Sequence, residues 1–268
     1  MFRIAYLGYS EKMLELLFEH KDFDVALVIA TKGRISKEYY KLIEKYHANY
    51  IEVSSKKELL ERLNMLDGVD AAIMYKFEFI IPAVDLNKHR YINFHGGNLR
   101  NNRGAHAVVW SILLQESETC LSCYQLSGGI DEGYLIDEYP VAIEKSDNPC
   151  ILNEKLAGGI PTMLDNVVLF LLGKRNAVLI EGGTYRRKIV EEDYTIKLRD
   201  DSIDSMRAKI LSQQAYDGAV VILDGRKHRI KRFEISDKRA YCENRLIEQN
   251  NDTIRVQDGE FCITMYFL

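Results

Sequence analysis

From Phe2 to Gly96 the chain alternates short apolar runs with amphipathic segments, and this restricts the fold more than any other feature. "FRIAYLG" is followed by "SEKMLELLFEH", which opens on Ser10 as a candidate N-cap and carries Met13, Leu14, Leu16 and Leu17 at helical spacing. "FDVALVIA" is a buried-type strand. After it come "SKEYYKLIEKYHA" and "SKKELLERLNML", both entered through serines, then the strands "VDAAIMY" and "RYINFHG". Strands separated by short helices pair in parallel with helices on both faces of the sheet. The pattern therefore predicts an α/β, Rossmann-like, mostly parallel sheet. The helix "GAHAVVWSILLQ" then returns the chain to it.

From about Glu118 the rhythm changes. "ETCLSCYQLSGG" and "GYLIDEYPVAI" read as strands joined by a glycine-rich turn. "NPCILNEKLAGGIPTMLDNVVLFLLG" reads as one long helix, capped by Asn148, with Pro149 in its first turn and a kink at Pro161. After Tyr194 a helix near "SIDSMRAKILSQ" and the strands "GAVVIL", "HRIKRFEI", "TIRVQ" and "FCITMYFL" predict a small, mostly β, OB-like appendage. The expected division is a catalytic domain over 1–190 and a C-terminal domain over 195–268.

Several function classes are excluded by what is missing. The first strand ends in a single glycine, so the G-x-G-x-x-G turn that brings a helix to a dinucleotide pyrophosphate is absent. G-x-x-x-x-G-K-[ST], H-E-x-x-H and G-x-S-x-G are absent too. Cys120 and Cys123 have C-x-x-C spacing, but in a strand that offset places the thiols on opposite faces, and no second pair completes a zinc site. No metal is expected. The formal charge of −4 gives no general attraction to nucleic acid or anionic membranes. The start, "MFRIAYLGYSEKM", lacks a signal-peptide pattern, and no apolar run is long enough to span a bilayer, so a cytoplasmic location is expected.

The chemistry concentrates in "YINFHGGNLRNNRG", residues 91–104. Asn93 and His95 are two apart on a strand and so share a face, just before Gly96 and Gly97 end it. They read either as part of a reaction site or as satisfied partners in a buried loop. In a parallel sheet, reactive groups gather at the C-terminal strand ends, where the turn "GGIDEGY" could also bring Asp131. A carboxylate beside an imidazole favours its protonated form, and an amide can donate to an oxygen that becomes negative. That set suits attack of an amine on a carbonyl carbon by direct transfer, since no Ser or Cys stands beside His95 as a nucleophile.

The frame "NFHGGNLRNNRG", followed by "IDEG", resembles the 10-formyltetrahydrofolate-dependent formyltransferases, whose motif reads N-x-H-x-S-x-L-P-x-x-R-G and then D-x-G. Asn93, His95, Arg103 and Gly104 fall on the first motif, and Asp131 and Gly133 on the second. "AAIMYKFEFIIPAVDL" resembles the family's folate loop, with Pro82 in place, and "TYRRKIVEEDYTI" its linker to a C-terminal domain. The resemblance implies that Asn93, His95 and Asp131 are catalytic, and that backbone around Phe77, Glu78, Phe79 and Ile80 and around Gly129 and Ile130 holds the pterin of 10-formyltetrahydrofolate. Gly97 and Arg100 depart from the motif's Ser and Pro. This rewritten loop bears on the acceptor, for which Arg100, Arg103 and His106 are the candidate contacts; the arginines read equally as packing or surface ion pairs.

The sugar N-formyltransferases, acting on a nucleotide-linked amino sugar, are the branch that the modest charge and reduced C-terminal segment fit best. The alternatives are a methionyl-tRNA formyltransferase, for which the strip "GRKHRIKRFEISDKR" would face RNA, and a formyltetrahydrofolate hydrolase with water as acceptor. The strip reads more simply as the solvated face of an edge strand. A small nucleotide sugar is the expected partner, with a homodimer left open and nucleic acid disfavoured.

Overall fold

The computed structural model describes residues 1–236 and 245–268. In the first half of the chain come β1 (Phe2–Gly8), α1 (Glu11–Glu19), β2 (Phe23–Thr31), α2 (Lys37–Lys45), β3 (Tyr50–Val53), α3 (Lys56–Arg62), β4 (Ala71–Tyr75), α4 (Ala83–Leu86), β5 (Tyr91–His95), β6 (Arg103–Gly104) and α5 (Ala107–Leu113). The second half adds β7 (Glu118–Leu126), β8 (Gly133–Ala142), α6 (Pro149–Ala157), α7 (Ile160–Leu171), β9 (Val178–Ile180), β10 (Tyr185–Arg186), β11 (Thr195–Ile196), α8 (Ile203–Gln213), β12 (Ala219–Leu223), β13 (Arg226–Gln249) and β14 (Thr253–Phe267).

The main sheet has the order β3-β2-β1-β4-β5-β7-β8-β9. β3 to β5 are parallel, while β7 returns antiparallel to β5 and β9 antiparallel to β8. Helices cover both faces of a parallel sheet, so its central strands have no solvent side. Accordingly β4 is buried at every position and β1 from Ile4 to Gly8. The serines read as caps are caps. Ser10 accepts from the Met13 N–H, Ser36 from Tyr39 and Ser55 from Glu58, each contributing about 1 kcal/mol to its helix.

The chain divides into two compact units that interleave in sequence. The first comprises Met1–Arg103, Cys120–Pro140 and Leu156–Tyr185; the second comprises Gly104–Thr119, Val141–Lys155 and Arg186–Leu268. The second unit holds a sheet in the order β11-β12-β13-β14. Its core includes Ile196, Met206, Ile210, Val221, Ile254 and Ile263.

Three elements differ from the sequence reading. The long helix is two, α6 and α7, because Gly159 takes the N-cap of the second and Pro161 lies in its first turn. Proline has no N–H for the helix ladder and its ring meets the carbonyl four residues back, so here it starts a helix instead of bending one. "TIRVQ" and "FCITMYFL" are one strand, β14. Gly259 within it takes a positive φ of 60° and the strand runs on. β3, "YIEV", was hidden between two helical segments and pairs with β2.

Buried tyrosines make the fold sensitive to alkali. Burial pushes Tyr75 up to about 12, and raises Tyr6, Tyr39 and Tyr91 as well. The folded values lie above the unfolded value of 10, so this stabilisation is complete below pH 10 and is lost as pH rises towards the folded value. Each such tyrosine removes about 1.4 kcal/mol per pH unit in that window. Urea midpoints are expected to be level from pH 8 to about 9.5 and to fall steeply above about 10. A level midpoint through pH 11.5 would contradict the burial argument.

Candidate active site

Strand β5 carries Asn93 and His95 to its C-terminal end, where Gly96 and Gly97 stop it. The Ser122 Oγ donates to the Gly97 carbonyl at 2.9 Å and holds that turn against β7. Asn93 stands opposite Tyr124, and His95 opposite Ser122, in the antiparallel ladder. Beyond β7 the chain reverses through Ser127–Glu132, closed by the Ser127 N–H on the Glu132 carbonyl at 3.0 Å. Asp131 sits in this turn with φ 49°, a left-handed conformation that Asp tolerates better than most residues.

The turn places Asp131 Oδ2 3.7 Å from His95 Nδ1, both side chains being mostly shielded. The other ring nitrogen, Nε2, lies 2.8 Å from the Asn102 carbonyl. A carbonyl oxygen only accepts, so Nε2 carries the hydrogen and Nδ1 is the basic nitrogen, facing Asp131. Asp131 Oδ1 accepts from the Tyr124 hydroxyl at 2.6 Å, and the Tyr124 hydroxyl oxygen in turn accepts from Asn93 Nδ2 at 2.9 Å. Asn93, His95 and Asp131 therefore meet in one site. Tyr124, which joins them, escaped the sequence reading. Its only trace there is its place on the strand next to β5, a pairing that single-chain patterns do not reveal.

The loop after the GG turn is compact. Asn98 Oδ1 accepts from the Arg100 N–H at 2.8 Å and the Asn98 carbonyl from the Asn102 N–H at 2.8 Å, which aims the Asn102 carbonyl at His95. Leu99 is fully buried against Tyr124 and Leu135. Arg100 is 52% exposed and pairs with Glu138 at 3.0 Å. Arg103 is turned inward. It is ion-paired with Glu132 and reaches the carbonyls of Ile130 at 3.4 Å and Gly183 at 3.3 Å, so its guanidinium braces the turn carrying Asp131. His106 belongs to the second unit, where partial burial and Lys188 lower its pKa.

The segment from Lys76 to Pro82 lies outside helix and strand. Phe77 and Phe79 pack edge to face at 5.6 Å and lean on the core, Glu78 is paired with Arg34, and Ile80 is exposed. Gly129 and Ile130 are exposed on the Asp131 turn. Apolar rings beside backbone that the sheet ladders do not use suit a flat, hydrogen-bonding heterocycle.

Thiol chemistry is disfavoured where the sequence offered it. Cys120 and Cys123 are buried, and burial pushes Cys120 up to about 11 and holds Cys123 well above the usual thiol range. Among the described residues no group of three or more His, Cys, Asp or Glu could hold a metal ion. No helix among them is long and apolar enough to cross a membrane. In the basic strip, Lys227 and Arg229 both pair with Glu191, and Arg232 pairs with Glu234; Asp237, Lys238 and Arg239 lie outside the described residues.

No protein-family model matches the chain. In sequence it is similar to the methionyl-tRNA formyltransferase of Neisseria gonorrhoeae, with 30% identity over 183 residues, or 65% of this chain. The chain spans 59% of the length of that curated relative. In fold it is similar to WlaRD, a sugar 3N-formyl transferase, with a TM-score of 0.72 and 16% identity over 100% of this chain and 98% of the other. It is likewise similar to an N-formyltransferase from Helicobacter canadensis, with a TM-score of 0.71 and 15% identity over the full length of both. Over 183 residues the chain is thus similar in sequence to methionyl-tRNA formyltransferases, and in fold it is similar to sugar N-formyltransferases.

Proposed function

We propose that this protein transfers the formyl group of 10-formyltetrahydrofolate to the free amine of a nucleotide-linked amino sugar, with residues 1–190 as the catalytic region. The observation that carries the reading is His95 Nδ1 facing Asp131 Oδ2 at 3.7 Å, with the Asn93 amide on the same strand face. The folate, when bound, supplies the electrophilic formyl carbon; Phe77, Glu78, Phe79, Ile80, Gly129 and Ile130 are the proposed surroundings of its pterin. Asn93 Nδ2 donates to the formyl oxygen as that oxygen gains negative charge. His95 Nδ1 takes the proton released by the attacking amine, and Asp131 stabilises the imidazolium so formed. The same proton returns from Nδ1 to the departing nitrogen, which leaves the protein in its starting protonation state.

Similarity of fold supports the sugar acceptor. WlaRD, solved with dTDP and 5-N-formyl-THF, and the Helicobacter canadensis enzyme, solved with folinic acid and dTDP-3-aminofucose, match this chain end to end. Sequence similarity to methionyl-tRNA formyltransferases keeps methionyl-tRNA as the second reading. Arg100, half-exposed beside the site loop, is the proposed phosphate contact, since a guanidinium binds such oxygens bidentately.

A competition assay separates the readings. Turnover of a 3-amino or 4-amino nucleotide sugar is expected, with Arg100→Ala raising the acceptor KM about tenfold, the size of one lost charge-assisted hydrogen bond, while the donor KM holds. Efficient formylation of methionyl-tRNA with no turnover of any amino sugar would overturn the sugar reading. Formate release without an amine acceptor would mark a hydrolase.

A further inference from the structure

Tyr124 is wholly buried, and its hydroxyl touches two of the three proposed catalytic side chains, 2.9 Å from Asn93 Nδ2 and 2.6 Å from Asp131 Oδ1. A phenol has one hydrogen to give and lone pairs to accept with. An ionised carboxylate can only accept, so the phenol hydrogen goes to Asp131. The oxygen can then only accept from Asn93. The amide nitrogen of Asn93 must therefore face Tyr124, with the second Nδ2 hydrogen fixed in the amide plane and the amide oxygen turned the other way.

We propose that Tyr124 is a positioning residue that sets the flip of the Asn93 amide and holds one oxygen of Asp131, leaving the other for His95. The inference rests on the formyl-transfer reading and extends it to a residue outside the motif. An amide flipped by half a turn would present its own oxygen to the oxygen that becomes negative, and repulsion would replace a hydrogen bond. Burial, and then the Asp131 charge, raise the Tyr124 ionisation well above the usual phenol range, so the hydroxyl keeps its hydrogen through neutral and mildly alkaline pH. The ring is packed against Leu99 and Leu135, which fixes the hydroxyl from behind.

Tyr124→Phe keeps that ring packing and removes only the hydroxyl. The expected result is a kcat lower by about 10- to 100-fold, with both KM values within about threefold and a Tm within a few degrees of the parent, because only transition-state contacts are misaligned. A double-mutant cycle gives the readout that a purely structural role would not move. In an Asn93→Ala background, Tyr124→Phe should cost much less kcat than in the parent, since part of its effect passes through Asn93. A kcat within twofold of the parent, or a loss that adds in full on top of Asn93→Ala, would overturn the inference. The side-chain amide protons of Asn93 give a test that needs no turnover. In the parent protein the proton bound to Tyr124 should exchange slowly with water, and in Tyr124→Phe this protection should vanish. Rapid exchange in the parent would overturn the positioning role, and that measurement decides alone if Tyr124→Phe does not fold. Failure of the parent to formylate any amine would remove the functional reading and leave the amide measurement to judge the positioning.

Discussion

His95→Ala is expected to lower kcat for formyl transfer by about 10³-fold while the protein stays folded, since a positioned acid–base group typically contributes 10²–10⁴. The ring nitrogen facing Asp131 is the proton carrier in the proposed scheme, and alanine leaves the amine to be deprotonated by solvent. Asn93→Ala should cost about 10²–10³, the usual worth of one oxyanion donor. The two losses should not add, because both residues serve one step. Binding of either substrate should change little, so the loss belongs in kcat. Single-turnover formyl transfer with each purified variant measures it directly. Near-normal turnover by any His95 variant would end this mechanism.

Gly133→Ala is expected to be the most damaging single methyl in the site, destabilising the protein by about 3 kcal/mol or more. A Cβ there would stand 2.0 Å from the Gln125 carbonyl oxygen and 3.1 Å from the Ser127 nitrogen, and the residue has φ 156°, which L side chains rarely adopt. Both neighbours are backbone, so neither can rotate out of the way. Relief requires β7 and β8 to part where they flank the turn, and that turn carries Asp131. Activity should therefore fall together with stability, unlike the effect of His95→Ala. Urea unfolding alongside a rate assay distinguishes the two patterns. A stable, active Gly133→Ala protein would show that the turn relaxes without moving the carboxylate.

The relation between sequence and structure is clearest at this same site. Asn93 and His95 were legible because a strand's two-residue period is local, and an offset of two fixes a shared face whatever the rest of the chain does. The serine caps and the parallel half of the sheet were legible for the same reason, since capping and apolar periodicity act within a few residues. Gly159 and Pro161 gave a local signal of opposite sense. Both suit a helix start as well as a kink, and only the break between α6 and α7 shows which was used.

Sequence by itself thus determined the fold class, the strand that carries Asn93 and His95 on one face and, through the motif, Asp131 as the candidate acid in the following turn. Tertiary structure alone decided what those groups touch. β7 runs back antiparallel beside β5, and that register puts the Tyr124 hydroxyl between Asn93 and Asp131. The loop from Asn98 curls so that a backbone carbonyl selects the His95 tautomer, and Arg103 turns inward to brace the Asp131 turn. Each of these contacts joins residues on different strands or loops. Their geometry follows from strand register and loop closure over the whole sheet, which no window of local sequence contains.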